Sequence, residues 1–214
     1  MPKVAVVLAG CGRMDGSEVH ESTLSLLYLA QGGADWYAFA PDEPQVQVVD
    51  HVTNDLTPGA ARNQMVEAAR IARGAVRPIT SLHAADHDAL LIPGGSGGFV
   101  NLSQGPGEVH PELRRVILEF ADAGKPIAAI CIAPVLVARV LGPRGVRLTI
   151  GHDAATAMKI AQTGARHVEC DVRDCVTDLE HRVVSTPAYM LGPGIADVAA
   201  GIEVAVRTLL GWCS

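Results

Sequence analysis

"GKPIAAICIAPVLVARVL", Gly124 to Leu141, changes character at one residue. Up to Cys131 the run is short, apolar and uninterrupted, as a strand buried on both faces requires. From Pro134 onward the apolar residues continue behind a proline suited to a first turn, and "PVLVARVL" reads as a helix. A strand that passes almost directly into a helix belongs to a parallel βα unit, and it leaves Cys131 at the turn.

Outward from that unit the alternation repeats. "KVAVVLAG" (Lys3 to Gly10), "ADWYAFAP" (Ala34 to Pro41) and "DALLIPGG" (Asp88 to Gly95) read as further buried strands. Between them "SEVHESTLSLLYLAQGG" reads as a helix capped by Ser17, with a leucine stripe at Leu24, Leu26, Leu27 and Leu29 and a stop at Gly32 and Gly33. "RNQMVEAARIARG" and "HPELRRVILEFADAG" are helices ending at Gly74 and Gly124, and "VQVVDHVT" is a hairpin or edge strand. "VRLTIG", "RHVECD", "CVTD" and "RVVSTPA" read as later strands, and Ala154 to Thr163 and Ile195 to Leu210 as the last helices. The expectation is one domain, residues 1–214: an α/β sandwich with a mostly parallel central sheet. Ligands of such sheets bind beyond the carboxyl ends of the strands, which points to "LAGCG", "LIPGG" and "AAIC".

Composition narrows the function. The chain has 214 residues, 49% apolar and only 4% aromatic, so the core is aliphatic. A net charge of −6 argues against nucleic-acid binding, which needs a basic surface. No apolar run reaches the length of a membrane span or the form of a signal peptide, so no membrane partner and a cytoplasmic location are expected. The five scattered cysteines do not suggest a disulfide framework and fit a reducing compartment. His167, Cys170 and Cys175 lack paired metal-ligand spacing, so no metal is expected.

Cys131 is the leading candidate nucleophile. A helix start favours a thiolate and should lower its pKa, and the amide of Ile132 can face an oxyanion. Position alone does not separate this from a small buried cysteine. "IPGGSGG" (Ile92 to Gly98) adds Gly94 and Gly95 after a buried strand, where backbone can approach a substrate closely and Gly95 can supply a second oxyanion amide. It does not match the phosphate-binding glycine patterns. "DGSEVHES" (Asp15 to Ser22) places Glu18, His20 and Glu21 near the first helix start. Glu18 suits a capping role, whereas Glu21 is placed to turn toward the strand ends, where a carboxyl beside a thiol would have a raised pKa and move a proton. Asn101 and Ser103 are candidates for lining the pocket, Thr186 or Tyr189 for contacting it, His152 for a base and Cys11 for a neighbouring thiol.

The set "LAGCG…DGSEVHES", "LIPGGSGG…NLS", "GKPIAAICIAP", "LTIG" and "STPAYM" resembles the ElbB-like isoprenoid-biosynthesis glyoxalase group, within the PfpI-like class I glutamine amidotransferase-like superfamily. The resemblance runs along nearly the whole chain. It implies a flavodoxin-like three-layer sandwich, a reactive Cys131, an acidic partner at Glu21 and oxyanion amides at Gly95 and Ile132. It implies a cofactor-independent, glyoxalase III-like lyase that converts small α-oxoaldehydes such as methylglyoxal and glyoxal to hydroxy acids through a Cys131 hemithioacetal, and a homodimer. Ile132 stands where PfpI-type peptidases carry histidine, so a two-residue Cys/Glu site fits better than a peptidase or glutaminase. A non-catalytic redox-sensing or partner-binding protein with an oxidisable Cys131, and a hydrolase or amidotransferase-like activity on another carbonyl substrate, are the alternatives.

Overall fold

The structure, a computed structural model, describes residues 1–105, 107–192 and 194–213. In chain order the elements are β1 (Lys3–Val7), α1 (Val19–Gln31), β2 (Asp35–Ala40), β3 (Val49–Asp50), β4 (Asp55–Leu56), α2 (Gln64–Ile71), β5 (Val76–Pro78), β6 (Ala89–Ile92), α3 (Ser96–Asn101), α4 (Pro111–Asp122), β7 (Ile127–Ile130), α5 (Ala133–Leu141), β8 (Arg147–Leu148), α6 (Ala154–Ala161), β9 (Arg166–His167), β10 (Val176–Asp178), β11 (Val183–Thr186) and α7 (Ile195–Gly211). Seven strands form one sheet in the order β10-β11-β7-β6-β1-β2-β5. All neighbours run parallel except β10, which lies antiparallel on β11.

The pleat divides the core between two layers of helices. Ala5 and Val7 of β1, Leu90 and Ile92 of β6, and Ile127 and Ala129 of β7 face one side, where Leu113, Ile117 and Phe120 of α4 and Leu136 and Val137 of α5 pack. The alternate residues, Val4, Val6, Ala89, Leu91, Ala128 and Ile130, face Leu26 and Leu29 of α1 and Ile202 and Leu209 of α7. Strands covered on both faces have no polar side to show, which is why β1, β6 and β7 read as unbroken apolar runs. This is the expected flavodoxin-like sandwich. Among the described residues, no helix is long and apolar enough to cross a membrane.

Two local expectations, both about α1, are corrected. The cap of α1 is Glu18, whose carboxylate accepts from the Glu21 amide at 2.8 Å, while Ser17 Oγ accepts from the Ala9 amide instead. The buried face of α1 is Glu21, Ser22, Ser25, Leu26 and Leu29; Leu27 is exposed. Ser22 and Ser25 tolerate burial because each hydroxyl donates to the carbonyl four residues back, at 2.6 Å. β8 and β9 pair with each other, apart from the large sheet, and "VQVVDHVT" supplies most of the small β3–β4 hairpin.

The hairpin is fixed to the β1–α1 loop through Asp15, which is fully buried. Its Oδ2 accepts from the Val49 amide at 3.0 Å, and its backbone oxygen accepts from Gln45 Nε2 and Asn101 Nδ2. Arg62 and His51 stand 3.8 and 3.6 Å from its carboxylate. Asp15→Ala strands the Val49 amide, and is expected to lower stability by about 2–3 kcal/mol, read as a lower denaturant midpoint at an unchanged m-value.

Candidate active site

Only Cys131 and Ile132 separate β7 from α5. The chain turns this corner by placing Cys131 at φ +62°, a left-handed conformation costing roughly 1–2 kcal/mol outside glycine. Its neighbours hold it there: the Cys131 amide donates to Thr186 O at 2.9 Å, one step beyond the pairing of Ile130 with Thr186. The corner aims the thiol at the crevice beyond the strand ends.

Glu21, in the first turn of α1, is entirely buried beside that thiol. Its Oε2 accepts from the Gly94 amide at 3.0 Å, its Oε1 from the Tyr189 amide at 3.3 Å, and the carboxyl shares a hydrogen bond with Cys131. Burial, reinforced by the charge of Glu18, raises its pKa to about 7 against the pull of those bonds. The thiol also moves upward, well above its ordinary range, through burial first and the Glu21 charge second. The expected lowering by the helix start is therefore reversed. The amides of Gly95 and Ile132 do point at the sulfur and favour its anion, but burial outweighs them. Two acids in one dry space hold a proton between them through neutral pH.

The glycines make this proximity geometrically feasible. A Cβ on Gly94 would lie 2.4 Å from Cys131 Cβ and 2.5 Å from Glu21 Oε2. Gly95 adopts φ +107°, and a Cβ there would lie 2.6 Å from Glu18 N and Gly16 O. Beyond them α3, which was not foreseen, begins at Ser96. Its Gly97 meets the β1–α1 loop backbone to backbone: a Cβ there would lie 2.1 Å from Gly16 N, and the Gly97 and Gly98 amides donate to Arg13 O and Gly16 O at 2.9 and 2.7 Å. Gly94→Ala must push Cys131 and Glu21 apart, and is expected to cost about 3 kcal/mol, seen as a lowered thermal midpoint.

A cleft of about 600 Å³ opens above Cys131, walled by Arg13, Glu18, His20, Gly95, Ser96, Ile132, Tyr189 and Met190. His20 Nδ1 and Tyr189 Oη hydrogen bond at 2.8 Å across its rim. Cys131, Glu21, Gly94, Gly95, Ile132 and Glu18 thus meet in one place. The Gly94 amide, however, is spent on Glu21 rather than turned to the cleft.

Other candidates lie elsewhere. Asn101 is buried among loop bonds to Ala9, Asp15 and Val46. Thr186 Oγ1 donates to Asp174 O, so its part is to hold the Cys131 backbone. Cys11 lies near Glu67 and Asp15, with its thiol pushed up by burial, and it is not on the cleft wall. His152 does not enter the cleft; it is half exposed and stands 3.9 and 3.6 Å from Glu169 and Asp171. Ser103 donates to Phe99 O. Among the described residues, no three His, Cys, Asp or Glu side chains gather as metal ligands would. Arg13, Ser96 and Met190 were missed, although Arg13 and Ser96 directly follow the strand-end glycines that pointed to the site.

An α/β sandwich with a left-handed cysteine corner, a glycine turn opposite and a buried glutamate behind defines a class of α/β proteins built around a strand–helix cysteine corner. The chain belongs to the DJ-1/PfpI family, whose profile matches residues 16–188. It is 43% identical to a human protein, "Glutamine amidotransferase-like class 1 domain-containing protein 3, mitochondrial", over 97% of this chain and 82% of that protein. It is 40% identical to the rat "ES1 protein homolog, mitochondrial", over 97% and 83% of the two. The crystal structure of an isoprenoid biosynthesis protein with an amidotransferase-like domain from Ehrlichia chaffeensis superposes with a TM-score of 0.95 at 38% identity, covering all of both chains. The mitochondrial relatives overturn the cytoplasmic expectation. A reducing environment is common to the cytosol and the mitochondrial matrix, so cysteine usage does not separate them.

Proposed function

We propose that the protein converts small α-oxoaldehydes, such as methylglyoxal and glyoxal, into 2-hydroxy acids without a cofactor. The observation that carries this reading is the buried Cys131–Glu21 pair with two amides, of Gly95 and Ile132, converging on the sulfur. As the thiol proton passes to the Glu21 carboxylate, sulfur adds to the aldehyde carbon, and Glu21 returns the proton to the resulting oxyanion, giving a hemithioacetal. The two amides are placed to steady that oxygen while it is charged. Glu21 then takes the carbon-bound proton and delivers it to the neighbouring carbonyl carbon through an enediol. This leaves a thioester, which water cleaves to the hydroxy acid and free thiol. The aldehyde carbon is oxidised and its neighbour reduced, so no outside redox partner is needed. A carboxyl titrating near 7 suits a group that must both take and give a proton at neutral pH.

The test is lactate formation from methylglyoxal in the absence of glutathione. Turnover well above the buffer rate is expected; lactate no faster than in buffer would overturn the reading. The raised thiol pKa weighs against a redox sensor, since oxidation follows exposed thiolate. Ile132 beside the cysteine weighs against amide hydrolysis, which needs a base there for the leaving amine.

A further inference from the structure

We infer that the cleft selects α-oxoaldehydes carrying an anionic group at the far end, and that Arg13 receives that group. This rests on the proposed conversion and names its substrate class. A three-carbon aldehyde fills the space of only a few water molecules, at ~30 Å³ each. The cleft measures about 600 Å³, a size suited to larger ligands. The space is not featureless. Among the described residues, Arg13 supplies the only permanently cationic side chain on its wall, and Ser96 adds a hydroxyl. The guanidinium is oriented: one of its five donors goes to Asn54 Oδ1 at 2.8 Å, and its backbone oxygen is held by the Gly97 amide.

Glu18 sets the direction. Its carboxylate, also on the wall, is fixed at the α1 start, where the Glu18 amide donates to the oxygen of Gly94 at 2.9 Å beside Cys131, so it repels a second anion from that end of the cleft. A substrate with an aldehyde at one end and a carboxylate at the other therefore enters aldehyde first, with its charge toward Arg13. A forked guanidinium–carboxylate contact is both strong and directional.

The probe is 4,5-dioxopentanoate, compared with methylglyoxal. The same reaction adds water to it and gives 2-hydroxyglutarate, again with no net redox change. Wild-type kcat/KM should favour 4,5-dioxopentanoate at least tenfold, and Arg13→Met should collapse that ratio toward one. Separately, 4-oxopentanoate, an unreactive mono-anion with its single carboxylate at the far end, should slow alkylation of Cys131 by iodoacetamide in the wild type and not in Arg13→Met. A wild-type ratio near one, or protection that survives Arg13→Met, overturns the inference. Arg13-dependent protection without turnover of either aldehyde keeps the anion site and removes the glyoxalase reading. Absence of both protection and turnover removes both.

Discussion

Cys131→Ala is expected to reduce 2-hydroxy acid formation at least 10³-fold while leaving the fold intact. The magnitude follows from the role proposed for the thiol: without sulfur no hemithioacetal forms, and only the oriented amides and Glu21 remain to act on the hydrated aldehyde. Stability should change by no more than about 1 kcal/mol. Alanine keeps the φ +62° strain of the corner, so nothing is relieved, and the loss is one buried sulfur. Serine should be nearly as inactive, because its hydroxyl is a far weaker acid than a thiol. Single-turnover mixing with methylglyoxal, with circular dichroism for the fold, checks this. Activity retained in Cys131→Ala would place the chemistry elsewhere.

Glu21→Gln is expected to lower turnover 10²- to 10⁴-fold, the range for removing a positioned acid–base group, while making the protein more stable at alkaline pH. The folded state binds the Glu21 proton more tightly than the unfolded chain does, with a pKa near 7 against an ordinary 4.5. Glu21 therefore favours folding fully below about pH 4.5, and this contribution fades as pH rises through 7. Above 7 the fold carries a buried carboxylate at a cost of about 3 kcal/mol relative to acid pH. Glutamine has no such titration. Thermal midpoints of the two proteins should thus diverge in favour of Glu21→Gln from pH 5 to pH 8, whatever their offset at acid pH. Parallel midpoints across that range would mean that Glu21 does not titrate there.

Much of this was legible in the chain. Runs such as "KVAVVLAG" and "KPIAAIC" announce strands covered on both sides, because a strand with one wet face alternates. The meeting of Cys131, Glu21 and Gly95 follows from the rule that binding sites gather at strand ends. The direction of the thiol shift did not follow. A helix start is visible in sequence, but the depth at which β7 and β11 bury the corner is a property of packing, and burial decided the sign. Ser17 lost the cap to Glu18 for a similar reason: its hydroxyl is engaged by Ala9 across the loop, a bond between segments that no local pattern shows. Asn101 and Thr186 were read as pocket residues from their nearness to strand ends. Their polar atoms are taken up by the loops that frame the site. Three-residue β5, ending in proline, is too short to carry a periodic signal.

The backbone contact between Gly16 and Gly97 has a further consequence. It joins the two loops that frame the site like a dovetail, with no side chain between them to repack. The floor of the cleft is thereby set by main chain, whereas Arg13, Ser96, His20, Tyr189 and Met190 project from it as replaceable fittings. Such a division lets a lineage alter what the cleft accepts by changing fittings alone, with Cys131 and Glu21 left undisturbed.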